Sequence, residues 1–150
     1  MAKSERDIER VLMVAPRMEP RGTSEYTLNL AVEFKRRGVE VLVVCVPGPM
    51  LEALHREDIP TRTFSRLESP LLYPLEAGRF RSLVEEFGPD VVHLQSGRVA
   101  RVLRAVRKGC DAPVLLTVHW QPDSAWRFRR LAGKVDGIIA TSQGVRETIV

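Results

Sequence analysis

RVLMVAPRMEPRGTSEYTLNLAVEFKRRGVEVLVV, residues 10–44, decides the fold. A short aliphatic run, 11–15, gives way to a polar stretch with one glycine, Gly22, then to a helical pattern, then to a second aliphatic run, 41–46. Runs of Val, Ile and Leu without polar alternation read as strands buried on both faces, which is how a parallel sheet looks in sequence. Between them Thr27, Leu30, Ala31 and Phe34 fall at i, i+3, i+4 and i+7, with Glu25, Asn29, Glu33 and Arg36 on the other side. That helix packs one face on a sheet. Thr23 or Ser24 is expected to cap its start and Gly38 to end it.

The same alternation continues outward. Further strands are expected at 91–94, 114–118 and 137–141, with a weaker one at 59–64. Helical spacing returns at Val99, Val102, Leu103 and Val106, with Arg98, Arg101, Arg104, Arg107 and Lys108 off that face and Gly109 closing the turn. Other helices are expected at 50–56, at 75–87 before Gly88-Pro89, and at 124–134. Strand, helix, strand throughout means right-handed βαβ units, so the fold class is α/β: a Rossmann-like, doubly wound parallel sheet with helices on both faces. A length of 150 residues, 44% of them hydrophobic, supports one such domain. Residues 142–150 begin a helix capped by Ser142 without a stop signal, as expected of a chain cut within a longer one.

Composition removes several function classes. No apolar run approaches the roughly 20 residues that cross a bilayer, and the start, MAKSERDIER, is charged where a secretory signal is apolar, so a cytoplasmic location is expected. Cys45 and Cys110 lie far apart with no cysteine or histidine at ligand spacing, which argues for buried thiols and against a disulfide framework or zinc site. The net charge of +4 is a mild excess, carried by nineteen Arg and four Lys, and arginine's planar fork suits phosphate and carboxylate. The Arg98 to Lys108 stripe has no stacking aromatics and no groove-reading motif, so no nucleic-acid partner is expected.

Ligands of open α/β sheets bind beyond the carboxyl ends of the strands, so the loops there are the places to search. In loop 16–23, Gly22 allows close backbone approach, and the free N–H groups and positive dipole end of the following helix favour an anion. The alternative is that Gly22 makes a turn and Thr23 caps a helix. The loop is neither GxGxxG nor GxxxxGK[ST], which weakens a dinucleotide-dependent oxidoreductase or a P-loop protein. His119 ends LLTVH and is followed by Trp120, Gln121, Pro122 and Asp123; it is either a donor to a sugar or phosphate oxygen or a strand-end histidine bonded to backbone. In VVHLQS, His93 reads as buried and structural, with Gln95 and Ser96 better placed for a ligand. His55 reads as solvated. No nucleophile with an adjacent base, no paired carboxylates, no metal cluster and no cofactor motif is found.

Four blocks in order, residues 11–44, PDVVHLQS, APVLLTVHW and VDGIIATSQGVRE, resemble the amino-terminal, acceptor-side domain of glycosyltransferase family 4, with the GT-B fold. The resemblance implies two Rossmann-like domains across a cleft, the first holding the acceptor and the second the nucleotide-sugar donor. It implies sugar transfer with retention of configuration and without a metal. By position, Gly22 matches the second glycine of the family's Gly-Gly loop near the donor diphosphate, with Arg21 in place of the first and Thr23 beside it. An arginine there is suited to a phosphate. His119 matches the histidine that positions the transferred sugar and phosphate, the catalytic candidate. Gln95 stands where many members have a histidine, and Gln95, Ser96 and Trp120 are the acceptor-side candidates. Ser142 matches a helix-capping serine. The donor-binding domain with its paired glutamates falls outside residues 1–150. Expected partners are therefore a nucleotide-sugar, an acceptor and that C-terminal domain. A non-catalytic binding or assembly module paired with a separate donor-binding chain is the alternative. WRFRRL, residues 126–131, admits two readings: contact with an anionic lipid surface, or a sheet-packing helix with Trp126 and Phe128 partly buried and its arginines solvated.

Overall fold

The computed structural model describes residues 7–150, so the first six residues of the charged start lie outside it. Its strands are β1 (Arg10–Arg17), β2 (Glu40–Val46), β3 (Thr61–Thr63), β4 (Val91–Leu94), β5 (Val114–Val118) and β6 (Gly137–Ala140). They form one all-parallel sheet in the order β3-β2-β1-β4-β5-β6. Its helices are α1 (Gly22–Arg36), α2 (Leu51–Arg56), α3 (Ala77–Phe87), α4 (Leu103–Gly109), α5 (Ala125–Ala132) and α6 (Gln143–Ile149).

Each central strand feeds two cores, which is why its sequence shows no polar alternation. Val11, Met13 and Ala15 of β1 join Val41, Val43 and Cys45 of β2 under α1 and α2. Leu12 and Val14 join Leu42, Val44, Val92, Leu94, Val114 and Leu116 on the opposite face, beneath Phe80 and Val84 of α3 and Val106 of α4. In β4 and β5 the positions left over for the α1 side include two buried polar residues: His93 bonds Thr117 Oγ1 at 2.6 Å. Burial lowers the His93 pKa to about 4, with His119 adding to the effect, so the ring is neutral in the folded protein.

The expected elements form, with shifts at their ends. β1 runs two residues past 15, through a register shift between Ala15 and Arg17 that places a bulge at Pro16, where a missing N–H costs no ladder bond. Gly38, at φ 79°, ends α1 as expected: its N–H bonds the Lys35 carbonyl while that of Val39 bonds Phe34. The weak strand at 59–64 shrinks to three residues on the sheet edge. The helix expected over 75–87 divides into a 3-10 turn at Tyr73–Leu75 and α3, ended by Gly88 in the left-handed region. The next begins as a 3-10 segment, Gly97–Val102, before α4, which includes Gly109. Ser142 caps α6 by accepting from the Val145 amide. Cys45 is buried, its thiol pushed up to about 12, but Cys110 is only half-buried. Trp126 is 64% exposed, against the expectation of a partly buried ring, because α5 buries no residue fully. Phe128 is half-buried as expected. Among the described residues no helix is long and apolar enough to cross a membrane.

Candidate functional site

The chain leaves β1 toward the face covered by α1 and leaves β4 toward the opposite face, covered by α3 and α4. Such a reversal opens a crevice at the carboxyl edge of the sheet, where ligands of doubly wound folds bind. The loop after β1 is held in place from below. The Met18 amide bonds the Val46 carbonyl (3.2 Å), and the Met50 amide bonds the Met18 carbonyl (2.8 Å). This closure requires Gly48, since a Cβ there would run into the Met18 carbonyl.

Arg21, in extended conformation, is the residue that precedes α1, and no side chain caps the helix start. Thr23 and Ser24, expected as caps, lie inside the first turn instead, because the chain turns helical at Gly22. The helix therefore begins with unsatisfied backbone donors and the positive end of its dipole at the crevice. Gly22 meets nothing within 4 Å of a would-be Cβ and has no positive φ, so the fold itself does not need a glycine there.

His119 follows β5. Its ring packs edge-on against Tyr26 of α1, with centroids 5.0 Å apart, and lies 6.0 Å from the Trp120 ring. Burial lowers its pKa, with the neighbouring Gln95 backbone acting the other way, which favours a neutral imidazole. Its Nε2 is buried and has no partner; the same holds for Gln95 Oε1 and Thr23 Oγ1. Only one further buried side-chain atom among the described residues is in that state, Tyr73 OH. A buried polar atom without a partner costs about 1–3 kcal/mol. Two of the four, His119 Nε2 and Thr23 Oγ1, belong to this rim, a pattern that a bound ligand or water resolves.

Two small cavities meet here. One, about 30 Å³, is lined by Arg21, Thr23, Ser96, Trp120 and the rim residues Glu19 and Arg98; the other, about 120 Å³, by Ser96, His119, Trp120, Thr117 and Phe128. Ser96 and Trp120 border both. The structure thus brings Arg21, Thr23, Ser96, His119 and Trp120 together, with Gly22 between Arg21 and Thr23. Gln95 is placed beside His119 but is fully buried, its amide bonded to the His93 carbonyl at 3.4 Å, so it lines neither cavity. Ser96 accepts from the Arg98 amide, which leaves it in a capping role at the start of the 3-10 segment.

Several rim residues escaped the sequence reading. Glu19 pairs with Arg21 (2.9 Å) and with Arg17 (3.3 Å), and Glu68 reaches the Arg17 amide (3.3 Å) and Arg98 (3.9 Å). Exposed pairs of this kind are weak, so an incoming anion can compete for the arginines. Tyr26 carried a local signal, one turn past Gly22; Glu68 carried none, being brought in by the fold from a distant loop. Two larger cavities, about 820 and 780 Å³, lie elsewhere: one along β3 and α3, the other between α4 and α5. Neither holds any of these residues. Among the described residues no group of three or more His, Cys, Asp or Glu is placed to hold a metal ion.

The strand order and the polar rim define a Rossmann-like α/β domain of the GT-B glycosyltransferase type. Residues 20–150 match the model of Glycosyltransferase Family 4, and the chain belongs to that family. It is similar in structure to Alr3699/HepE of Anabaena, solved in complex with UDP, with TM-score 0.74, 19% identity, and coverage of 93% of this chain and 40% of that one. A glycosyltransferase from Rickettsia africae gives TM-score 0.76 and 20% identity, over 95% of this chain and 39% of that one. MurG of Acinetobacter baumannii gives 0.65 and 14%, over 88% and 41%. The chain therefore spans about 40% of the length of these structures. No curated protein matches it in sequence.

Proposed function

We propose that residues 1–150 form the acceptor-side wall of a retaining, metal-independent glycosyltransferase, with a nucleotide-sugar donor held chiefly by a second Rossmann-like domain across the cleft. The observation that carries this reading is the gathering of His119 Nε2, Thr23 Oγ1 and the uncapped start of α1 at one rim, each lacking a partner. In this reading the amides at Gly22 and Thr23, with Arg21, meet the donor diphosphate. His119 contacts the transferred sugar. A neutral imidazole carries one N–H and one lone pair, so Nε2 either donates to a phosphate or sugar oxygen or accepts from a sugar hydroxyl. Ser96 and Trp120 face the acceptor.

Rate enhancement then comes from aligning the acceptor hydroxyl with the sugar carbon and from stabilising charge on the departing diphosphate. No protein nucleophile is needed. The likeness to a UDP-bound structure supports a nucleotide-sugar as the donor class. Transfer from a panel of labelled nucleotide-sugars tests the reading, with the 150-residue chain assayed alone and again together with a family donor-binding domain. Transfer is expected only from the pair, with the anomeric configuration of the donor retained in the product and no loss on addition of EDTA. Turnover by the 150 residues alone would remove the second wall from the mechanism, and an inverted product would remove retention.

A further inference from the structure

The groove between α4 and α5 holds none of the polar residues of the site described above, and its own lining is strongly cationic. Its cavity of about 780 Å³ is bordered by Arg101, Arg104, Arg107, Arg127, Arg130 and Lys134, and no carboxylate borders it. Arg107 is engaged with Asp136 at 2.8 Å. Arg104, Arg127 and Lys134 are exposed and have no ion pair among the described residues. Trp126 stands at the same groove, 64% exposed, with the Arg130 guanidinium 4.9 Å above its ring.

A second feature adjoins it. Arg101, which lines the groove, donates from Nη1 to the Leu67 carbonyl (3.0 Å) and so ties α4's leading segment to the turn that follows. In that turn Leu71 is 86% exposed, Leu75 is 70% exposed and Leu72 is about half exposed. The leucines are held outward by order: Tyr73 is buried in the core, its amide bonds the Ser69 carbonyl, and the Leu72 amide bonds Ser69 Oγ.

From this juxtaposition we propose that the α4–α5 groove and the leucine turn at 71–75 dock on the surface of an anionic lipid bilayer, with the cations on headgroup phosphates, Trp126 at the interface and the leucines in the acyl boundary. Unpaired cations flanking an interfacial tryptophan match the chemistry of an anionic headgroup layer, and exposed leucines match the apolar layer beneath it. A nucleic acid fits less well. A single strand would stack its bases on an aromatic face, and Arg130 already covers that of Trp126; a single strand or a duplex gives three leucines nothing to contact. Docking by this surface does not rest on the sugar-transfer reading: the groove shares only Leu131 with the cavity at His119, and neither its cations nor Trp126 nor the leucines of 71–75 line that rim.

The test is co-sedimentation of the full chain with vesicles of phosphatidylcholine alone or mixed with phosphatidylglycerol, alongside tryptophan fluorescence. Binding is expected to the mixed vesicles only, to weaken with salt, and to shift the fluorescence to the blue; the shift should vanish in Trp126→Phe. Each cation near such a surface is worth roughly fivefold in binding, so the triple variant Arg104→Gln, Arg127→Gln, Lys134→Gln should bind about a hundredfold more weakly. Leu71→Ser with Leu75→Ser should weaken binding at least about tenfold while keeping the salt dependence. All five positions are exposed, and unchanged thermal melting confirms that the variants fold. Equal binding to neutral vesicles, undiminished binding by the triple variant, or tighter binding to a single-stranded oligonucleotide than to the mixed vesicles would overturn the proposal.

Discussion

His119 meets Tyr26 edge to face, with ring centroids 5.0 Å apart and planes at 82°, so the first turns of α1 are clamped to the loop that leaves β5. The two ends of the proposed diphosphate and sugar site are thereby held at a fixed separation, although 93 positions separate the residues in sequence.

Removing that clamp tests whether Tyr26 is a positioning residue. A ring pair of this geometry is worth about 0.5–1.5 kcal/mol, so Tyr26→Ala should cost roughly threefold to tenfold in kcat of the two-domain enzyme. The His119 pKa is lowered by burial, so admitting water should raise it toward 6.5 in an NMR titration. Transfer that depends on the neutral ring falls as pH drops through that pKa; in Tyr26→Ala the fall should begin at higher pH. Tyr26→Phe keeps the ring and should restore both. A titration and a pH profile unmoved by Tyr26→Ala would show that the contact positions nothing.

The two glycines of this rim should respond in opposite ways to alanine. Gly22 has open space around it, so Gly22→Ala should leave stability unchanged or raise it by about 0.5 kcal/mol while weakening transfer, because the new methyl stands where the diphosphate is proposed to approach. Gly48 faces the Met18 backbone, so Gly48→Ala should lower stability by about 1–3 kcal/mol and displace the loop that carries Arg21. Urea denaturation together with the transfer assay separates the two. Full activity in Gly22→Ala would remove the backbone contact at that position.

His93 should make the domain acid-sensitive. Its folded pKa is depressed from 6.5 to about 4 by burial, so the folded state resists a proton that the unfolded chain accepts. The stability linked to this group is complete above pH 6.5 and is lost as pH falls toward about 4, a change on the order of 3 kcal/mol at about 1.4 kcal/mol per pH unit. Denaturation midpoints measured across that window should fall, and His93→Gln should flatten the part due to this residue. An equally steep fall in the variant would assign the acid sensitivity to other groups.

The strands and helices were legible because each writes its own period into a few neighbouring residues. The run 11–15 and the face Thr27, Leu30, Ala31, Phe34 need no knowledge of what they pack against. The direction of search was legible too, since parallel sheets place their ligand loops at one edge, and His119 and Gly22 both fall there. Sequence did not reveal that α1 starts at Gly22 without a cap, that Gly48 supports Met18, that Gln95 turns inward, or that Trp126 stands out at a groove lined by cations. Each of these depends on which distant strand lies next to which. The order β3-β2-β1-β4-β5-β6 puts β1 beside β4, and β4 beside β5, and so carries α1 to the loop after β5. Local periodicity comes from backbone geometry within one element, whereas burial and partnership are properties of several elements packed together, so only the tertiary structure decides them.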